Sequence, residues 1–200
     1  MFGLFKKRRI EGFIGLYGLE QWWLKELSES ERTEILSTFQ PMGGASSSLI
    51  SGKISTDQKC SDFLATLVGW FKASNRDLGY KILQKAEDSL DSNSTVLEQH
   101  FTCNALIEFY YRDRDKGQRY LDKALESCRK QISISKATIR EFKRQDPRFL
   151  PSHKGFHQLA IYEEKQKNYQ EALSLAKQAQ ADGWQGDWEK RIERLSKKLA

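Results

Sequence analysis

Proline is scarce, with three in 200 residues, which excludes collagen-like and proline-rich extended chains and leaves room for long helices. Cysteine is equally sparse. Cys60, Cys103 and Cys128 are odd in number and have no C-x-x-C spacing, so neither a disulfide framework nor a zinc knuckle is expected. Reduced thiols and a cytoplasmic setting follow. No long apolar run exists. The most apolar stretch, Ile10 to Leu24, is broken by Glu11 and Glu20 and is shorter than the ~20 residues that cross a bilayer. The basic tetrad Lys6 to Arg9 precedes it, but no small-residue cleavage site follows as in a secretory signal.

A concentrated charge of one sign is also lacking. The net charge is +6, yet residues 1–27, 28–93, 94–146 and 147–200 carry +2, −2, +3 and +3. A dedicated nucleic-acid face would gather Lys and Arg on one stripe, so nucleic acid is disfavoured as a partner. With 38 % hydrophobic and 30 % charged residues, the chain is too apolar for disorder and too polar for a polytopic membrane protein.

Three stretches are expected. Residues 1–40 form an aromatic-rich helical segment. Ile10, Phe13, Ile14 and Tyr17 recur at helical spacing, and Trp22, Trp23, Leu24 and Leu27 extend the apolar surface. Gly12, Gly15 and Gly18 weaken such a helix by up to ~1 kcal/mol each, so the segment needs a docking surface, which a stack of helices further on could supply. Ser28 and Glu31 have the spacing of a capping box ahead of a short helix ending near Phe39. Residues 41–55, rich in Gly and Ser, read as a linker. Residues 56–200 read as helices throughout, with starts expected at Asn75, Thr95 and Asn168.

That last stretch repeats itself. Phe63, Gly79, Leu83 and Ala86 in a first window superimpose without gaps on Phe101, Gly117, Leu121 and Ala124, and on Phe156, Ala172, Ala176 and Ala179. Small residues on the second helix of each pair allow close helix approach, while the aromatic on the first fills the space between layers. The windows lie 38 and 55 residues apart, and the surplus in the longer interval needs a home. Leu121, Leu125, Cys128, Ile132, Ser135, Ile139 and Phe142 alternate steps of four and three, which predicts one extended helix over 118–144 and a seam through which a second copy could pack as a homodimer. Trp188, Ile192, Leu195 and Leu199 form the apolar stripe of a capping helix over 186–199, with Lys190, Arg191, Arg194, Lys197 and Lys198 largely away from the stripe.

Phe156, Leu159, Ala160, Tyr169, Ala172 and Ala179, with the turn-like run Lys165 to Leu173, resemble the tetratricopeptide (TPR) family. The resemblance implies an all-α, TPR-like stack of antiparallel helix pairs, about three repeats, whose first helices line a peptide-binding groove. Val68, Leu106 and Ile161 share one position of those helices, Phe71 and Phe109 share the next column with Glu164, and Lys72, Tyr110 and Lys165 follow one residue on. An apolar groove edged by basic and polar groups is therefore expected at Val68, Phe71, Lys72, Leu106, Phe109, Tyr110, Lys154, His157, Ile161 and Lys165. The same residues read equally well as core between layers.

Catalytic and metal signatures are thin. His153 and His157 have the i, i+4 spacing of a metal pair, but Lys-Gly-Phe lies between them and no third ligand is near in sequence. Gly52-Lys53 lacks the remaining positions of a phosphate loop. Residues 1–9 combine Phe and Leu with the basic tetrad and could give weak peripheral membrane contact. The expected function is noncatalytic binding of a protein or peptide, without cofactor or metal. The alternatives are a nucleic-acid accessory role through basic helix faces, and, behind that, a metal-dependent or cysteine enzyme.

Overall fold

A computed structural model describes residues 10–41 and 44–200. The membrane contact expected of residues 1–9 falls outside the described residues. The fold is all-α, with no strand among the described residues. The chain forms two compact units, residues 1–85 and 86–200.

The first unit is built from short elements: α1 (Gly12–Leu16), a π-helical turn (Trp22–Glu26), α2 (Glu29–Thr38), a 3-10 turn (Ser46–Leu49), α3 (Cys60–Val68), and α4 (Arg76–Asp88), which begins in it. The continuous helix suggested by the spacing of Ile10 to Leu24 is instead cut by Gly18 at φ +65°, and its glycines serve close approach. Gly12 sits at φ +64°, and a Cβ there would lie 2.3 Å from the carbonyl oxygen of Ser48. Its N–H donates to the Gly52 carbonyl at 3.0 Å. The stretch read as a linker is thereby drawn into the unit, and Leu49 is fully buried. The capping box forms as expected, with Ser28 accepting from the Glu31 amide and Glu31 from the Ser28 amide. Aromatic rings fill the core. Phe13 stacks on Phe63 at 4.5 Å, Tyr17 lies 5.3 Å from Phe63 and donates its hydroxyl to the Gln58 carbonyl, and Phe39 meets Phe13 and Trp70 edge-on. The N-terminal aromatic segment thus docks on α3.

The second unit holds α5 (Val96–Arg112), α6 (Gln118–Ser133), α7 (Ser135–Gln145), α8 (Lys154–Lys165), α9 (Tyr169–Asp182) and α10 (Trp188–Leu199). α5 and α6 form one hairpin, α8 and α9 another, and α10 packs on α9. Thr95 and Glu98 cap α5 reciprocally. Gly183, at φ +84°, closes α9 in the left-handed conformation that glycine adopts without a Cβ penalty.

The helix expected over 118–144 is present in two pieces, broken at Ile134. Hydroxyls beside the break bond back to helix carbonyls, Ser133 to Lys130 and Thr138 to Ile134, which bends a helix. Trp184 anchors the turn by donating its indole N–H to Ser135 Oγ at 2.9 Å. α7 then folds onto α5, and Phe142 meets His100 and Phe101 edge-on rather than protruding. Leu125 and Cys128 are buried in the unit's own core, and Leu121, Ile132, Ile139 and Phe142 pack partly buried against it, so the seam assigned to a homodimer is engaged within its own unit.

Gln131, fully buried, ties three helices together. Its amide donates to the His100 carbonyl at 2.9 Å and to Asn104 Oδ1 at 2.6 Å, while its oxygen accepts from the Gly155 amide at 2.7 Å. A Cβ at Gly155 would lie 2.8 Å from that oxygen, so glycine is what lets α8 reach α6.

The three aligned phenylalanines do not share an environment. Phe63 and Phe156 are buried, whereas Phe101 is 41 % exposed. Phe63 and Phe156 lie within the first turn of α3 and α8, but the Thr95 cap starts α5 earlier and places Phe101 further along. In the second helices, Gly79 and Ala172 lie inside α4 and α9, while Gly117 precedes α6.

Candidate functional site

Four of the ten expected site residues lie together on the outward face of α8 in the second unit. His153 begins the helix, its Nδ1 accepting from the Phe156 amide at 3.2 Å. Gly155, Phe156, Leu159 and Ala160 are buried against α6 and α9. At helical spacing on the other side lie Lys154, His157, Gln158, Ile161, Glu164 and Lys165. His157 and Lys165 are exposed, and Lys154 and Ile161 are half-buried.

Charged residues of two further helices meet this face. From α5, Glu108 accepts from Lys154 and pairs with Arg112 at 2.6 Å. The Lys154 hydrogen bond is the main reason that the Glu108 carboxyl sits below its ordinary range. From α10, Arg194 binds Glu164 through two nitrogens, at 2.7 and 3.2 Å, and Lys198 and Arg191 each approach to 3.5 Å. Burial pushes the Glu164 carboxyl up, but the Arg194 hydrogen bonds and the three positive charges outweigh it and hold it below its ordinary range. His157, on the surface but with its ring partly covered 6.3 Å from Trp188, is kept below the usual imidazole range by that partial burial and then by the charge of Arg191.

Lys154, His157, Ile161 and Lys165 are therefore brought onto one face. The remaining expected residues are not. Leu106 and Phe109 are buried on α5, and Tyr110 faces Tyr120 at 6.3 Å. In the first unit, Val68 and Phe71 are buried and Lys72 is exposed. At these apolar positions the core reading describes the environment. Glu108, Arg191, Arg194 and Lys198 were not among the expected site residues. Arg191, taken as an outward charge of the capping helix, is only 5 % exposed. Its place three residues after Trp188 and four before Leu195 puts it in the buried stripe, a signal that spacing carries and residue type hides.

The histidine pair has no metal-binding geometry. His153 is the buried cap residue, outside the helix, with Nδ1 engaged by the Phe156 amide, while His157 is on the surface. With Nδ1 accepting, the neutral ring carries its proton on Nε2, which then has no lone pair for a cation. No group of three His, Cys, Asp or Glu among the described residues is placed to hold a metal ion. Cys103 and Cys128 are buried, and burial pushes their thiols up to about 11 and about 12, far from the thiolate form a nucleophile needs. No helix among the described residues is long and apolar enough to cross a membrane. No family model, curated protein or solved structure matches the chain.

Proposed function

We propose that the chain is a noncatalytic protein- or peptide-binding module of TPR-like helical hairpins, and that the outward face of α8, flanked by α5 and α10, is where it binds. The observation that carries this reading is the grouping of Lys154, His157, Ile161 and Lys165 on one face beside Arg194 and Glu108, a half-buried apolar residue within a field of directed charges. Such a surface suits an extended or helical segment that inserts one aliphatic side chain and orients through its charges. The hairpins α5–α6 and α8–α9, with α10 packed on α9 and α7 inserted between the pairs, support this reading. Three cysteines without a disulfide among the described residues favour a reducing, cytoplasmic setting.

The test is selection of displayed peptides on the full chain, followed by affinity measurement on the Ile161→Asp, Lys165→Glu double variant. Selected peptides are expected to bind that variant at least about tenfold more weakly, as loss of a central anchor predicts. Lys136→Glu, an exposed change on α7, should leave affinity unaltered. Peptides indifferent to the α8 changes would remove the proposed face.

A further inference from the structure

The surroundings of Glu164 are unbalanced in charge and in hydrogen bonding. Three cations of α10 converge on its one carboxylate. Asp187 acts electrostatically on Arg194 and His157, and offsets part of the surplus. Arg191 is buried, with 5 % of its surface exposed, yet its Nε and Nη1 donate no hydrogen bond among the described residues. The 3.5 Å approach of Nη1 to Glu164 supplies charge but no directed bond. Buried guanidinium donors without an acceptor are costly, and a solvated row of surface cations does not create that cost. The feature therefore differs in kind from the scattered basic residues elsewhere on the chain.

We propose that Arg191, Arg194 and Lys198 form a seat for a carboxylate of an acidic peptide segment, which Glu164 occupies in the free protein and yields when a partner's Asp or Glu arrives. The proposal rests on the peptide-binding reading above and names its ligand class. Exchange of one carboxylate for another at Arg194 is close to neutral. The gain comes from a carboxylate that enters the space Glu164 vacates and there bonds the Arg191 donors, which are closed to solvent while Glu164 is seated and which Glu164, fixed to its helix, leaves unbonded. A peptide suits the face better than a nucleic acid does. Glu108, Glu164 and Asp187 interleave the cations, so a continuous phosphate chain would meet repulsion along its path, whereas spaced acidic side chains can alternate with them. Half-buried Ile161, one turn before Glu164 and Lys165, offers the apolar contact a peptide side chain would use.

The experiment uses the full chain and a labelled oligoglutamate carrying one central leucine and blocked ends, with its glutamine counterpart and a thymidine oligonucleotide as comparison probes. At low salt the oligoglutamate should bind at least about tenfold more tightly than the glutamine peptide. Arg194→Gln, an exposed change, should weaken it by about fivefold or more, and Glu164→Gln should strengthen it by about threefold or more by removing the internal competitor. Arg191→Lys, which keeps the charge but loses the fork, should also weaken it, and circular dichroism will report whether that variant folds. Absence of oligoglutamate binding, an unchanged or weakened Glu164→Gln variant, or preferential oligonucleotide binding lost on Arg194→Gln would each overturn the carboxylate seat. Displayed peptides that need Ile161 but carry no acidic residue would also overturn it while leaving the peptide-binding reading standing.

Discussion

Residues 10–85 and 86–200 reach a buried core by different means. The first unit has α-helices of 5, 10 and 9 residues before α4 begins. Helices that short are marginal in water, and large rings compensate: Phe13, Tyr17, Phe39, Phe63 and Trp70 form one connected set. The second unit has helices of 11 to 17 residues, which bury stripes of aliphatic and small side chains together with rings of their own, Phe156, Trp184 and Trp188 among them. It can also accommodate a polar interior: His100, Gln131, Ser135, Thr138 and His153 are all buried. Both cores thus hold a ring cluster, set among short elements in the first unit and among long helices in the second. The two units should therefore fail differently when a single residue is changed.

The phenylalanines give the largest expected contrast. Phe63→Ala and Phe156→Ala should each cost about 3–5 kcal/mol, the range for truncating a buried aromatic. Phe101→Ala, at a site 41 % exposed, should cost under about 1 kcal/mol. Denaturant melts would measure all three, with hydrogen exchange assigning the loss to residues 10–85 or 86–200. A Phe101→Ala cost equal to the other two would restore the equivalence of the three windows.

The same contrast marks what the sequence could reveal. The helical class, the capping boxes at Ser28 and Thr95, the start of α9 at Asn168 and the small residues of α9 were legible, because each follows from local spacing or from a cap. The identity pattern of the middle window was legible too, but not its meaning, since the early start of α5 changes which residues face inward. Of the candidate site, Lys154, His157, Ile161 and Lys165 could be read from the periodicity of one helix. Arg191 was marked by its spacing from Trp188 and Leu195 but hidden by its residue type, and Glu108 could not be read at all, because a charge that meets another helix looks like a solvated one in a single chain. Gln131 was invisible for the same reason. A glutamine beside an apolar row gives no sign that it will bond three helices at once.

Acid should strike the second unit selectively. Burial lowers the His100 ring to about 4, and burial together with the neighbouring His100 lowers His153 to about 3, against an unfolded value near 6.5. The unfolded chain therefore takes up protons that the folded unit refuses. The stability these neutral rings allow is complete above about pH 6.5 and is lost as pH falls toward their folded values. By pH 5 the loss should reach roughly 2 kcal/mol for each histidine. His153→Asn, which keeps a side-chain oxygen able to accept from the Phe156 amide, should halve the pH dependence between pH 6.5 and 5 in urea melts followed by exchange of residues 86–200. An unaltered slope would mean that the ring does not stay neutral in the folded unit.

In the first unit the comparable weak point is backbone. Gly12→Ala places a Cβ 2.3 Å from the Ser48 oxygen at a φ of +64°, so strain and a forced shift add together. A loss of about 2 kcal/mol is expected in the melt of residues 10–85. Gly18→Ala, also at positive φ but with nothing within 4 Å of the added carbon, should cost about 1 kcal/mol. The difference between the two isolates the contact with Ser48 from the conformational cost, and equal losses would show that the approach of the 46–50 segment relaxes freely.

The caps give the smallest and most direct comparison, because the chemistry is shared and only the setting differs. Ser28 and Thr95 each accept from the amide three residues on and are met in return by Glu31 and Glu98. Ser28 is exposed, whereas Glu98 is buried and takes two hydrogen bonds from Thr95, from its amide and from its hydroxyl. Ser28→Ala should cost about 0.5 kcal/mol and Thr95→Ala about 1 kcal/mol or slightly more, since only the second leaves a buried carboxylate short of a donor. If thermal melts give the reverse order, the N-terminus of α2 is held more tightly by its neighbours than its exposure implies. The first unit would then depend on its caps as well as its rings.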